Sequence, residues 1–147
     1  MSEKNRILIV DDNQANVELL EAYLAGMDCE IAVASDGREA LEKVAEFRPD
    51  IILLDVMMPK LSGFEVCKQI KDDPETRRIM VLMVTALNEL GDIERAVAVG
   101  TDDFLSKPVQ KIELLKRVEN MLRIKDITDE NERLRRYIQE MEDGTGP

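Results

Sequence analysis

Residues 50–63 read DIILLDVMMPKLSG. Four consecutive aliphatic side chains, Ile51 to Leu54, stand between two aspartates. A strand with one wet face alternates apolar and polar residues. An unbroken apolar run means burial on both faces, as in a parallel sheet covered by helices. The run stops at Asp55, and Pro59 and Gly63 then punctuate a loop. The stretch therefore reads as a central strand, Asp50 to Asp55, that delivers a carboxylate to its carboxyl end.

Working outward, the same grammar repeats. RILIV (6–10) reads as a strand, followed by a helix from Asn13 to about Ala25 with Val17, Leu20 and Leu24 on one face. Gly26 is placed to close that helix. CEIAVA (29–34) is a second strand, and Asp36 is a good N-cap for a helix through Phe47 that turns Ala40, Leu41 and Val44 inward. Beyond the loop, Phe64 to about Lys71 is helical. IMVLMV (79–84) is a fourth apolar strand. A short helix carries Ile93, Ala96 and Val97, DDFLS (102–106) is a fifth strand, and a last helix begins near Gln110. Five strand–helix units predict an α/β fold, a flavodoxin-like (βα)5 doubly wound parallel sheet with strand order 2-1-3-4-5.

That topology gathers residues that linear spacing keeps apart. All strands of a parallel sheet end along one edge, where ligands bind at the switch point of the strand order. Asp11 and Asp12 follow the first strand, Asp55 the third, Thr85 the fourth and Lys107 the fifth. Adjacent buried acids repel unless compensated. Three carboxylates together suit a hard divalent cation, Mg²⁺ or in its place Mn²⁺, bound through oxygen. A lysine suits a phosphoryl group as a point charge, and a threonine hydroxyl can donate to a phosphoryl oxygen. Metal, carboxylate nucleophile and lysine together describe phosphoryl transfer to an aspartate.

Composition narrows the alternatives. The chain has 147 residues, about one domain, and is 44% hydrophobic, enough for a core. Lys and Arg number 20 against 31 Asp and Glu, a formal charge of −11, which argues against nucleic-acid binding. No run of 18 apolar residues offers a membrane span, and MSEKNR leads straight into a strand without a signal-peptide pattern. Cys29 and Cys67 form no CxxC pair, which fits a cytoplasmic setting. Histidine is absent, so no His base, His–zinc site or His-bound haem is available.

LIVDDN, DIILLDVMMPKLSGFEV, VTA and SKP together resemble the receiver domain of bacterial two-component response regulators, from about Arg6 to about Leu122. The resemblance implies that Asp55 is the phospho-acceptor. It implies that Asp12 binds Mg²⁺ directly, Asp11 through water, and that the Met57 backbone carbonyl joins Asp55 on the metal. Thr85 and Lys107 match the phosphoryl-sensing hydroxyl and lysine, the Lys107–Pro108 bond is expected to be cis, and Phe104 sits at the aromatic switch position. A histidine kinase or phosphotransfer protein is the implied donor, and the chain is a switch rather than an enzyme. Two positions depart from polar expectation. Met57 and Leu87, two residues past Asp55 and Thr85, are apolar and cannot orient an attacking water, which predicts slow loss of the phosphoryl group. Lys111, Lys116 and Arg117 read as a solvated helix face.

A receiver of residues 1–122 leaves 123–143 as a helical extension and GTGP (144–147) as a linker or flexible end. Apolar residues fall at Ile124, Ile127, Leu134, Ile138 and Met141, a heptad with Asn131 in the remaining slot. With Ile124 at a, Asn131 also lies at a, and Glu130 at g faces Arg135 at the following e across a parallel dimer. The pattern predicts a homodimer through the last helix and tail. It also fits a regulatory fragment whose output domain is absent, such as a cyclic-dinucleotide enzyme, phosphatase or kinase. A hydrolase reading lacks a second acid at Met57, and a flavin carrier lacks a phosphate-cradling loop after Val10. A receiver that never takes phosphate, acting as a plain interaction module, should have lost one of Asp12, Asp55 or Lys107, and all are present.

Overall fold

The aliphatic run that reads as a strand is one: Ile51–Leu54 forms β3, with all four residues buried. The structure is a computed structural model that describes residues 4–58, 60–86 and 90–142. Leu87 and residues 144–147, on which two expectations fall, lie outside these. Around β3 stand β1 (Asn5–Val10), β2 (Cys29–Ala34), β4 (Met80–Thr85) and β5 (Asp103–Ser106), all parallel, in the order β2-β1-β3-β4-β5. The helices are α1 (Gln14–Leu24), α2 (Gly37–Phe47), α3 (Gly63–Asp72), α4 (Leu90–Ala98) and α5 (Lys111–Glu142).

Successive side chains of a strand point to opposite faces, so each apolar strand feeds two cores. Leu8, Val10, Ile52, Leu54, Val81 and Met83 point to one face and pack with Ala40 and Val44 of α2, Phe64 and Ile70 of α3 and Ala96 of α4. Ile7, Ile9, Ile51, Leu53, Leu82 and Val84 point to the other and meet Val17, Leu20 and Leu24 of α1 and Leu114, Val118 and Met121 of α5. Each large aliphatic side chain removed from water contributes about 1.5–3 kcal/mol, so the sheet is the main source of stability.

Three helices begin on a capping side chain, that of Asp36 as its sequence position predicts. The side chains of Asn13, Asp36 and Ser62 accept from the backbone N–H groups of Asn16, Glu39 and Glu65 at 3.2, 2.9 and 3.3 Å. Each satisfies one of the donors that a helix start leaves unpaired.

Several local expectations are corrected. Gly26 does not supply a left-handed cap: Ala25 remains right-handed, and Gly100 is the one described glycine with positive φ. Arg48, at φ 51°, caps α2 in that conformation instead. Among the described side chains of α4 only Ala96 is buried, while Ile93 and Val97 are exposed. Arg117 is not simply solvated: one guanidinium nitrogen lies 2.8 and 2.9 Å from the two Asp103 carboxylate oxygens, tying α5 to β5. No helix among the described residues is long and apolar enough to cross a membrane.

Candidate functional site: an acidic cluster at the sheet edge

β1 and β3 are neighbours in register, with Val10 opposite Leu54. Asp11 and Asp55 leave the sheet at the next position of each strand and stand side by side. The Asp55 N–H donates to the Val10 carbonyl at 2.9 Å, and that of Asp11 to Ala34 at 3.1 Å, so both backbones are pinned. β4 and β5 end together, Thr85 opposite Ser106. The Lys107 N–H donates to the Thr85 carbonyl at 2.8 Å. The Lys107–Pro108 peptide is cis.

The side chains converge as the strand order implies. Lys107 Nζ donates to Asp11 Oδ2 at 3.0 Å and to Asp55 Oδ2 at 3.3 Å. The second Asp11 oxygen accepts the Asn13 N–H at 2.9 Å, and the second Asp55 oxygen accepts the Met57 N–H at 3.3 Å. Asp11 and Asp55 are buried, Thr85 is fully buried, and Asp12 is exposed. Burial pushes the Asp55 carboxyl above its ordinary pKa. The Lys107 charge opposes this, and the Asp11 charge adds to it. Burial of Lys107 favours the neutral amine, but its hydrogen bond to Asp11 and the charges of Asp55 and Asp11 prevail and raise its pKa.

One carboxylate oxygen from each of Asp11, Asp12 and Asp55 lies within 4.8 Å of the others. A single ammonium does not neutralise three carboxylates. The donors are all hard oxygens, and the exposed side at Asp12 leaves room for water, so the set fits a small divalent cation that keeps part of its hydration.

Phe104, on β5 opposite Met83, is half-buried against the core beneath α4. Gly63 carries more weight than sequence reading gave it as loop punctuation. A Cβ there would meet the Asp55 carbonyl oxygen at 2.3 Å and Val56 Cα at 2.7 Å. α3 can start directly under the Asp55 loop because this side chain is missing. The sequence signal was its position, immediately after an N-capping serine.

This chain belongs to the response regulator receiver domain family, whose model matches residues 7–119. Receiver domains are phospho-accepting modules of two-component signal transduction that bind Mg²⁺ at an acidic pocket. Over 125 residues the chain is 50% identical to the response regulator PleD of Caulobacter vibrioides, covering 85% of this chain and 28% of that protein. It thus spans under a third of that relative. Among solved structures it is similar to a CheY-like receiver domain protein from Methanospirillum hungatei, with TM-score 0.80 and 25% identity over 86% of this chain and 99% of that one. It is also similar to the receiver domain of the sensor histidine kinase PA1611 from Pseudomonas aeruginosa, solved with magnesium coordinated in its active-site cleft. There the TM-score is 0.74 and the identity 29%, over 81% of this chain and 98% of that one.

Proposed function

We propose that this chain is a phosphorylation switch in which Asp55 takes a phosphoryl group from a histidine kinase or phosphotransfer protein. The observation that carries this reading is the position of Lys107 Nζ, bridging Asp55 and Asp11 beside Asp12. In the transfer, an Asp55 carboxylate oxygen forms a bond to phosphorus. The bond from phosphorus to the donor imidazole nitrogen breaks, and the imidazole keeps its electron pair. Asp12, Asp55 and the Met57 carbonyl, with Asp11 through water, would hold Mg²⁺, which would supply positive charge to the phosphoryl oxygens.

This chain's residues do the rest. Lys107 exchanges a carboxylate contact for a phosphoryl oxygen, a charge-assisted hydrogen bond. The Thr85 hydroxyl donates to another, which draws the end of β4 toward Asp55. Phe104 repacks as that residue moves, by shape alone, since it has no hydroxyl. The altered face of α4, β5 and α5 changes self-association through α5 and its extension. In a longer protein this drives an output domain beyond residue 147, a reading supported by the small share of PleD that the chain spans.

Intact-mass analysis after incubation with acetyl phosphate and Mg²⁺ tests the assignment. The protein gains one phosphoryl group, and Asp55→Asn or added EDTA abolishes the gain. Equal uptake by Asp55→Asn refutes it.

A further inference from the structure

α5 is 32 residues long and outruns the receiver core. Met121 is its last buried residue. Beyond it Ile124, Ile127, Leu134, Ile138 and Met141 are between 46% and 57% exposed. With Asn131 these residues span an arc of about 100° at 3.6 residues per turn, a narrow seam down one side. The opposite side is engaged. Lys125 Nζ lies 3.4 Å from Asp50, just before β3, and Arg78, in the turn before β4, forms an ion pair with Glu132. Lys125 and Glu132 project about 140° around the helix from the seam centre. Between the two ion pairs runs a cavity of about 410 Å³ lined by Pro49, Arg77 and Ile79 on the body and Ile124, at the edge of the seam, Thr128 and Asp129 on the helix. The helix is continuous with the part seated by Leu114, Val118 and Met121, which sets its phase, and beyond Met121 the two charge pairs hold its direction against the body.

We propose that Asp50–Lys125 and Arg78–Glu132 form a clamp that holds the direction of the α5 extension against the receiver. The clamp leaves the seam from Ile127 onward facing away from the receiver, to pair with the seam of a second copy of this chain in a parallel two-stranded coil. The charge pattern selects that occupant. In a parallel pair Glu130 at g meets Arg135 at e of the other copy, whereas antiparallel helices set g against g and lose the match. Asn131 at a favours two strands and one register. Lys125 and Glu132 occupy b positions, outside the coil interface, so clamp and coil coexist. Rigid-body movement of one receiver is then passed into the coil rather than dissipated at a free joint. The proposal rests on the self-association in the function above, but not on the chemistry at Asp55.

The test is the distribution of distances between receivers in the full chain. In a Cys29→Ser background a spin label is placed at Glu42→Cys, on the exposed side of α2. Cys67 is buried, with its thiol pushed up to about 11 by that burial, and stays unlabelled. The parent protein gives a narrow inter-copy distribution. Exposed ion pairs are weak and screened by salt, so Arg78→Glu or about 1 M NaCl widens it about twofold. The swap Arg78→Glu with Glu132→Arg restores the narrow distribution, and Leu134→Lys abolishes inter-copy distances. An unchanged width in Arg78→Glu overturns the clamp and leaves the coil. A parent protein that sediments as a monomer overturns both. Neither result touches phosphoryl uptake, which is read separately by mass.

Discussion

The Asp55 carboxyl is buried beside a second acid, Asp11. Burial raises its pKa, and Lys107, shared with Asp11, compensates only in part. A carboxyl whose folded pKa exceeds its unfolded value contributes most to stability when protonated. That contribution is lost as pH rises through the folded pKa. At neutral pH without divalent cations, Asp55→Asn therefore raises the melting temperature by a few degrees, on the order of 1 kcal/mol for a domain of this size. The gain disappears toward about pH 4, near the ordinary carboxylate range, because wild-type Asp55 is then protonated. Thermal melts at the two pH values check both signs. Met57 makes a second prediction at this scale. It is 62% exposed beside Asp55 and offers no side-chain hydrogen bond to water. Met57→Asn speeds loss of the phosphoryl group about tenfold, roughly the effect of one well-placed hydrogen bond. A half-life of seconds in the unmodified protein contradicts the slow-loss reading. The polar cluster was legible in sequence because each member ends an apolar strand. The Arg117–Asp103 pair was not, since a helix-face arginine carries no sign of which strand it meets.

Elements were legible where one physical rule dominates. Continuous apolar runs gave β1, β3 and β4, which are buried on both faces, whereas β2 and the short β5 carry polar residues and stand out by their place in the alternation. Asn13 and Asp36 marked helix starts because their side chains satisfy local donors, whatever packs elsewhere, whereas Ser62, which caps α3 in the same way, was read only as part of the loop. Where tertiary packing decides, the reading weakened. Gly26 looked like a left-handed cap, yet α1 ends without one, and Ile93 is exposed although it lies three residues before the buried Ala96. Gly63 is the element-scale residue most sensitive to change, since it meets backbone rather than a movable side chain. Gly63→Ala forces α3 away from the Asp55 loop. It destabilises the protein by about 1–3 kcal/mol, as overpacking at a rigid contact does, and slows phosphoryl uptake as well. Urea unfolding and the uptake assay measure the two effects. Normal uptake in the destabilised variant separates α3 seating from Asp55 placement.

At the scale of the whole molecule, strand order does what sequence spacing cannot. Asp11 and Lys107 are 96 residues apart yet lie within hydrogen-bonding distance because both follow strands of one parallel sheet. The site and the α5 extension occupy opposite edges of that sheet, with α5 running about 48 Å at 1.5 Å per residue between and beyond them. In the proposed switch, change at Asp55 reaches the extension through the seating of α5 against β5 and α1. Sedimentation equilibrium with Mg²⁺, with and without beryllofluoride as the phosphoryl mimic, reports how that change is used. A dimer only with the mimic makes the tail a phosphorylation-driven switch, and a dimer in both states makes the signal a rearrangement within a standing coil. A monomer in both leaves a spacer helix. The central claim, that Asp55 is the acceptor, is tested most directly by reducing the phosphorylated protein with borohydride and mapping its peptides by mass. The account predicts conversion of Asp55 to homoserine and of no other residue. Homoserine at Asp11 or Asp12, or none after confirmed uptake, contradicts it.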